Sequence, residues 1–166
     1  MGRLQEIKDR WYEGRLGFKM DEVMSGEHWF EPGCGPEGSL PFEFRVTWGP
    51  KNVAAWLDRS AKGFHNELNG TIHAGGLCDG AACEGTLDLR YFDEHKIRYA
   101  FEFETGGKKY RFVGEKLNIM PWNLPYSHTT CFGTLTEAES GKLISRSVTH
   151  FRITSAPTFL MSMRLS

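Results

Sequence analysis

The sequence contains no long apolar stretch and no excess of charge of either sign. No window approaches the roughly 18 consecutive apolar residues of a membrane-spanning helix, and the opening residues MGRLQE lack the apolar core of a signal peptide. The 20 basic and 21 acidic side chains give a net charge of −1, without the concentrated basic face that nucleic-acid binding needs. We therefore expect a cytoplasmic protein that has no membrane span and does not bind nucleic acid.

Motifs for two common kinds of catalysis are also missing. No Gly-x-Gly-x-x-Gly turn leads from a predicted strand into a helix, as a flavin-binding Rossmann unit requires. No Gly-x-Ser-x-Gly elbow is present. Ser127 and His128 are neighbours in an extended segment, so their side chains point to opposite faces and cannot readily pair as nucleophile and base. We expect no cofactor, and the sequence favours binding over catalysis.

The four cysteines are expected to be free thiols, because nothing in the sequence supports secretion into an oxidising compartment. Cys78 and Cys83 are separated by four residues, a spacing that zinc sites admit. Cys34 and Cys131 are isolated, however, and no His-x₃₋₅-His supplies the remaining ligands. We therefore expect no bound metal.

Aromatic side chains are abundant, and apolar residues follow the two-residue period of half-buried strands. The chain contains 12 Phe and 5 Trp. Extended or alternating segments recur along it, at 18–30, 42–48, 68–73, 83–91, 97–104, 110–116, 128–135, 143–153 and 158–165. Such alternation predicts β-strands with one face in a core. Gly106-Gly107, between two of these segments, predicts a tight hairpin.

Two short helices are expected beside the strands. Apolar residues at helical spacing predict one helix within residues 1–16, packing on or closing the barrel. Pro50 and the apolar residues that follow predict a second helix over 52–61. The length suits a single domain covering residues 1–166.

The predicted fold is all-β, an antiparallel meander of about eight or nine strands. No helix of crossover length separates successive strands, which argues against a parallel sheet. A meander of this length must protect its edges, and closure into a lipocalin-like barrel does so. A two-sheet sandwich is the alternative that the pattern leaves open.

Most of the chain resembles a small accessory β domain found in some bacterial glucose–methanol–choline oxidoreductases of the cholesterol-oxidase-like group. The resemblance is carried by strand-and-turn motifs: FKMDEVMSG at 18–26, LNGTI at 68–72, GTLDL at 85–89, IRY at 97–99, YRFVGEK at 110–116, TTCFG at 129–133, FRI at 151–153 and MRL at 163–165. It implies a lipocalin-like, calycin-type barrel and an oxidoreductase as a possible partner. It implies no catalytic residues.

The predicted barrel interior contains the candidate binding residues. A barrel of about eight strands has an interior that side chains fill or that holds one small ligand. Inward-facing aromatic side chains are expected on two neighbouring strands, namely Tyr99, Phe101, Phe103, Tyr110 and Phe112. Filling of the interior and lining of a cavity are both consistent with this series. Gly70, Gly85, Gly114 and Gly133 either leave room for a ligand or let the strands bend.

Polar contacts to a ligand are expected near the barrel mouth. Alternation from Tyr110 directs Lys116 inward and Glu115 outward, and an inward Lys116 would anchor a carboxylate or carbonyl group. The alternative is a lysine whose stem covers apolar surface while its charge reaches water. His128 begins a strand and is a further candidate contact.

Other polar residues are assigned to loops or to the outer surface. Trp122 and Tyr126, in a proline-rich loop at 120–126, are expected to form the rim of the site together with the glycine-rich loop at 31–39. Acidic pairs such as Asp21-Glu22 are interpreted as exposed strand charges. Three further histidines, His65, His73 and His150, could gather inside the barrel.

Three functions remain open from the sequence. The first is a binding module for a small hydrophobic molecule of lipid, steroid, terpenoid or polyketide type. The second is an isomerase or cyclase that acts on such a molecule through His128, Glu115 or Lys116. The third is an accessory module that docks on an oxidoreductase or forms a homodimer, which predicts a filled barrel and an exposed apolar patch.

Overall fold

The computed structural model describes residues 2–58, 64–90, 94–118, 129–151 and 164–166. Within them it contains two helices and nine strands: α1 (Arg3–Tyr12), β1 (Phe18–Phe30), β2 (Leu40–Gly49), α2 (Val53–Trp56), β3 (Phe64–Ala74), β4 (Cys78–Arg90), β5 (Lys96–Thr105), β6 (Lys108–Lys116), β7 (Thr130–Glu137), β8 (Leu143–Phe151) and β9 (Arg164–Leu165). Neither described helix is long and apolar enough to cross a membrane.

The first eight strands form a closed antiparallel barrel. Each strand pairs with the next one along the chain, and β1 closes the circle by pairing with β8 on its other side, from Met24 opposite Phe151 to Phe30 opposite Ser145. The short β9 adds to the start of β1, with Leu165 opposite Phe18. The predicted all-β barrel is confirmed, and the sandwich alternative is wrong, because every strand from β1 to β8 is paired along both edges.

The two ends of the barrel differ in their connections. At the helix end β1 begins, β6 ends at Lys116 and α2 follows β2. At the hairpin end β1 ends at Phe30, and Gly106 and Gly107 make the predicted turn between β5 and β6, both with positive φ (57° and 75°). The loop at 31–39 therefore leaves from the hairpin end, whereas the connection after β6 leaves from the helix end. Residues 120–126 lie outside the described residues, so the prediction that the two loops form one rim stays a prediction.

The glycine-rich loop between β1 and β2 contains Gly33, Gly35 and Gly38 at the spacing of a dinucleotide fingerprint. Here the spacing joins two antiparallel strands, β1 and β2, which pair directly with one another. The fingerprint works by leading a strand into a helix, whose N-terminus then receives a phosphate. This loop has no such helix, so the spacing carries no nucleotide-binding chemistry.

Both helices contribute little to the core. Helix α1 has no buried side chain, so its predicted closure of the barrel is not observed among the described residues. Helix α2 is one turn, shorter than the predicted 52–61, and residues 59–63 lie outside the described chain. The Asn52 side chain caps α2 by accepting from the Ala55 amide at 3.2 Å. Trp56 anchors this turn on the rings of Phe18 and Phe64, with ring centroids 5.3 and 4.7 Å away.

Aromatic rings fill the middle of the barrel. The ring of Phe44 lies 5.4 Å from each of the rings of Tyr99, Phe101 and Phe112. The Phe101 and Phe112 rings are 4.8 Å apart. These separations are typical of packed aromatic pairs. Of the two outcomes that the sequence left open for the aromatic series, filling therefore holds for this layer.

The strand glycines serve packing in two different ways. A Cβ atom on Gly70 would lie 1.9 Å from the backbone oxygen of Arg45, so this residue allows a close approach of neighbouring strands. A Cβ atom on Gly133 would lie 2.4 Å from the ring of Phe112, and one on Gly114 would lie 2.7 Å from it. The room left by these two glycines is therefore occupied by the Phe112 ring.

Candidate ligand site in the barrel interior

Four polar or charged side chains from four strands meet inside the barrel. Even-numbered residues of β1 and β2 point inward, which brings in Glu22 and Trp48, whereas odd-numbered residues of β5 point inward, which brings in Tyr99. On β6 the inward series ends with Lys116. All four side chains are buried. We call this group the interior polar cluster.

The Glu22 carboxylate is the centre of the interior polar cluster. Its Oε1 atom accepts a hydrogen bond from Lys116 Nζ at 2.8 Å, and Oε2 accepts one from Trp48 Nε1 at 3.1 Å. The Tyr99 hydroxyl lies 3.0 Å from both carboxylate oxygens. Three donors from three strands therefore satisfy one buried carboxylate, which is the condition under which such a charge is tolerated away from water.

Within the described part of the chain, the Lys116 ammonium group keeps unused hydrogen-bonding capacity. Its side chain is 4% exposed, and Glu22 is the one hydrogen-bond acceptor that the described residues offer it. Its nitrogen lies 5.3 Å from the ring centre of Tyr99 and 5.9 Å from that of Phe151, so aromatic faces cover part of the charge. An ammonium group carries three N–H donors. Two of them have no conventional acceptor in the described chain.

Two further polar groups on β8 face the interior. The Ser147 and Thr149 side chains are buried, and their hydroxyl oxygens make no hydrogen bond of normal geometry among the described residues, although the Thr149 hydroxyl is near enough to the Cys131 thiol to lower its pKa. Thr149 lies opposite Cys131 on β7, and Cys131 is close enough to Glu22 and Lys116 to be influenced by both charges. A buried hydroxyl without a partner costs about 1–3 kcal/mol. The wall formed by β6, β7 and β8 thus presents unsatisfied polar groups to the interior.

Cys131 contributes a neutral thiol to this wall. Burial is the main cause that raises the pKa of the Cys131 thiol to about 12; the Lys116 charge and the neighbouring Thr149 hydroxyl lower this pKa, and the Glu22 charge raises it. A thiol in this state is neither a good nucleophile nor a metal ligand at neutral pH. All four cysteines are free, as predicted.

The predicted aromatic residues all face the interior, but only one belongs to the interior polar cluster. Tyr99 joins the cluster, and Phe101 and Phe112 form the layer that fills the middle of the barrel. Phe103 and Tyr110 stack on each other at 5.6 Å, nearer the hairpin end. Their role in ligand binding stays a prediction. The predicted contacts Trp122, Tyr126 and His128 lie outside the described residues.

Three predictions about charged residues are decided by the structure. Lys116 does point inward, and its ammonium nitrogen pairs with Glu22 rather than reaching water. The interpretation of Glu22 as an exposed strand charge is wrong, because its side chain is 5% exposed. Glu115 faces outward as alternation predicted, 3.6 Å from Lys96, so it is not positioned to transfer protons in the interior.

The histidines that the sequence suggested as a group do not gather inside the barrel. His65 and His73 pair with Asp88 and Asp79 in exposed positions, at 2.5 and 2.9 Å. His150 is also exposed, and its Nδ1 atom lies 3.2 Å from the Thr130 hydroxyl. Alternation on β3 and β8 places all three on the outer face.

Among the described residues, the buried histidine is His28, which the sequence reasoning missed. Its Nε2 atom lies 2.9 Å from the backbone oxygen of Gly75, and its Nδ1 atom lies 3.1 Å from the Ser145 hydroxyl. The carbonyl can only accept, so Nε2 carries the proton and Nδ1 accepts from Ser145. Burial lowers the pKa of His28, and nearby His73 lowers it slightly further, against the opposing effect of the Gly75 hydrogen bond. His28 therefore works as a neutral link between β1, β8 and the β3–β4 turn.

The outer wall of β1, β6, β7 and β8 carries exposed apolar side chains. Trp29, Leu117 and Phe132 are 41%, 43% and 54% exposed. They border a shallow groove of about 500 Å³, together with Val113 and Val148. We call this surface the outer apolar groove.

The fold and the interior polar cluster define the protein as a closed eight-stranded antiparallel barrel with a hydrogen-bonded ion pair buried inside it. No group of three or more potential metal ligands is found among the described residues. No family model matches the sequence, and the searches of curated proteins and of solved structures give no match.

Proposed function

We propose that the protein binds one small, mainly apolar molecule inside the barrel, at the interior polar cluster. The aromatic layer below the cluster, including Phe44 and Phe101, would contact the apolar part of the molecule. Lys116 and the β8 hydroxyls would contact its polar group. Ligand sites of this kind are mostly apolar, with a few placed polar groups that fix orientation.

One observation carries this proposal: the unsatisfied polar groups inside the barrel. A barrel that is only a scaffold gains nothing from a buried ion pair, because well-packed apolar residues of similar volume are often as stabilising. It gains still less from the unpartnered hydroxyls of Ser147 and Thr149. These groups destabilise the empty protein, and a ligand that forms hydrogen bonds with them would remove that destabilisation.

The first experiment identifies the ligand. Native mass spectrometry of the purified protein is compared with its denatured mass, and any species that dissociates is extracted into organic solvent. The empty protein is then incubated with a panel of lipids, steroids, terpenoids and polyketides. We expect a noncovalent complex at a ratio of one ligand per chain. Absence of any complex, before and after incubation, would contradict the proposal.

A pair of isosteric variants tests where the ligand binds. Thr149→Val removes an unpartnered interior hydroxyl, and Thr134→Val makes the same chemical change on the outer face of β7. We expect Thr149→Val to raise the free energy of unfolding of the empty protein by about 1 kcal/mol and to weaken ligand binding. Thr134→Val should leave affinity unchanged and stability within about 0.5 kcal/mol. A Thr149→Val protein that is less stable than wild type, with unchanged affinity, would contradict the interior site.

A second candidate function is supported by the outer apolar groove. Exposed Trp29 and Phe132 on one wall, together with a filled middle of the barrel, suit an accessory module that docks on another protein or on a second copy. Under this second proposal, the protein is related to the accessory domain of glucose–methanol–choline oxidoreductases and works in the cytoplasm. Sedimentation velocity of wild type and Phe132→Glu separates the cases: a dimer that the substitution dissociates would support self-association, and two monomers would count against it.

A proton-transfer enzyme acting on the bound molecule is a narrower variant of the main proposal. With Glu115 outside, the interior groups available for such chemistry in the described chain are Glu22, Tyr99 and Lys116. Turnover of a recovered ligand that is lost in Glu22→Gln and retained in Glu115→Gln would support it. Binding without turnover would leave the binding module alone.

A further inference from the structure

We propose that the interior site selects an uncharged ligand that presents a hydrogen-bond acceptor, such as a carbonyl or hydroxyl oxygen, and that it rejects carboxylates. This inference rests on the proposed function and narrows its ligand class. It follows from the charge balance and the hydrogen-bond balance of the interior polar cluster.

The charge balance of the interior is already complete without a ligand. Glu22 and Lys116 are paired at 2.8 Å, with side chains 5% and 4% exposed. The remaining buried titratable groups nearest to them add no charge, because burial keeps the Cys131 thiol protonated. His28 is held neutral by its two hydrogen bonds and belongs to the hairpin end. A carboxylate entering this site would therefore leave one negative charge uncompensated.

The charged groups around the cluster do not alter this balance. On β5, Tyr99 and Ile97 are the inward neighbours of Lys116, and on β2 Trp48 contacts Glu22. Arg98 and Glu115 are on the outer face of β5 and β6, opposite each other. Glu22 and Lys116 are the ionised side chains that the described residues bury inside the barrel.

The hydrogen-bond balance specifies an acceptor. Glu22 already receives bonds from Lys116, Trp48 and Tyr99, so it has little capacity for a further donor. Lys116 has two N–H donors without a conventional acceptor in the described chain. A ligand oxygen can accept from these donors, whereas an amine or ammonium group on the ligand cannot. A hydroxyl of Ser147 or Thr149 can donate to a second oxygen or accept from a ligand hydroxyl.

Matched ligand pairs test the inference on the wild-type protein. Each pair is a carboxylic acid and the methyl ketone with the same aliphatic or steroid skeleton, titrated at neutral pH by native mass spectrometry and by calorimetry. We expect the ketone to bind about a hundredfold more tightly than the acid, because an uncompensated buried charge is strongly unfavourable. Equal or tighter binding of the acid would overturn the inference and leave the proposed function standing. Binding of neither member in any pair would overturn both.

The Glu22→Gln variant tests the cause of the selectivity. Removing the carboxylate leaves the Lys116 charge without its partner, so the preference is expected to reverse in favour of the acid. Glu115→Gln makes the same change one residue from Lys116 on the outer face and should keep the wild-type preference. An unchanged preference in Glu22→Gln would refute charge balance as the cause. If Glu22→Gln does not fold, the wild-type pairs still decide the inference.

Discussion

The buried pair of Glu22 and Lys116 allows a quantitative prediction about stability. Both side chains are at most 5% exposed, so solvent screening does not reduce their interaction appreciably. Removing one partner leaves an unpaired charge inside the barrel, which costs about 3–5 kcal/mol. Tyr99 and Trp48 still donate to Glu22 after Lys116→Met, and the Tyr99 and Phe151 rings still cover Lys116 after Glu22→Gln. We therefore expect each single variant to lower the free energy of unfolding by about 3 kcal/mol, the lower limit of this range.

The double variant separates this pair from ordinary packing. With both charges removed, no unpaired charge remains, so Glu22→Gln with Lys116→Met should cost no more than either single change. The coupling energy is then at least about 3 kcal/mol in magnitude. Urea unfolding of the wild type, the two singles and the double, followed by tryptophan fluorescence, measures it. Single costs below about 1 kcal/mol with additive behaviour would refute the buried ion pair.

A matched surface pair supplies the control for this cycle. Lys109 on β6 and Glu102 on β5 are 3.6 Å apart, with side chains 55% and 44% exposed. Exposed pairs contribute little, because water already solvates and screens them. Lys109→Met and Glu102→Gln should each change the free energy of unfolding by about 0.5 kcal/mol or less, with negligible coupling. A similar coupling in both cycles would show that burial is not the cause.

Three further predictions concern packing and protonation. Burial lowers the pKa of His28, so on acidification the unfolded state takes up this proton at a higher pH than the folded state does. The free energy of unfolding should therefore fall as pH drops below about 6.5, and it should fall less in His28→Gln. Urea unfolding at several pH values measures both changes. At about pH 8, iodoacetamide should modify the half-buried Cys34 and leave Cys131 intact, because burial raises the pKa of Cys131 to about 12. Peptide mass mapping measures the two rates of modification, and equal rates would contradict this prediction. Gly70→Ala should destabilise the barrel by about 2–3 kcal/mol in thermal or urea unfolding, because the added Cβ would lie 1.9 Å from a backbone oxygen of β2. Gly2→Ala is the control: Gly2 has open space around it, so this substitution should not change stability.

The fold class could be predicted from the sequence because strand alternation and turn chemistry are local signals. The Gly106-Gly107 hairpin and the inward series from Tyr99 to Phe103 are read from neighbouring residues alone. Closure of β1 onto β8 has no such local signal, since it joins residues more than a hundred positions apart. It was inferred from the need to protect edges, which a sandwich could also have met in part.

The interior polar cluster was only half predictable for the same reason. Alternation gives Lys116 its inward direction, but whether its charge reaches water depends on a partner that lies 94 positions away. Glu22 shares the inward parity of Phe18 and Met20, so the signal was present in β1. It was overridden by the general rule that carboxylates lie on the surface, a rule that fails where another strand supplies a cation. Alternation along β1 also directs His28 inward, but no neighbouring residue in the sequence indicates the partners that its ring finds in the fold.

The most direct test of interior binding is an NMR titration with the tightest ligand of the panel. We expect chemical shifts to change around Tyr99, Lys116 and Thr149, whose side chains face the interior near the cluster. Signals around Trp29 and Phe132, on the outer apolar groove, should stay in place. Changes confined to Trp29 and Phe132 would contradict interior binding and move the function to the outer surface of the barrel.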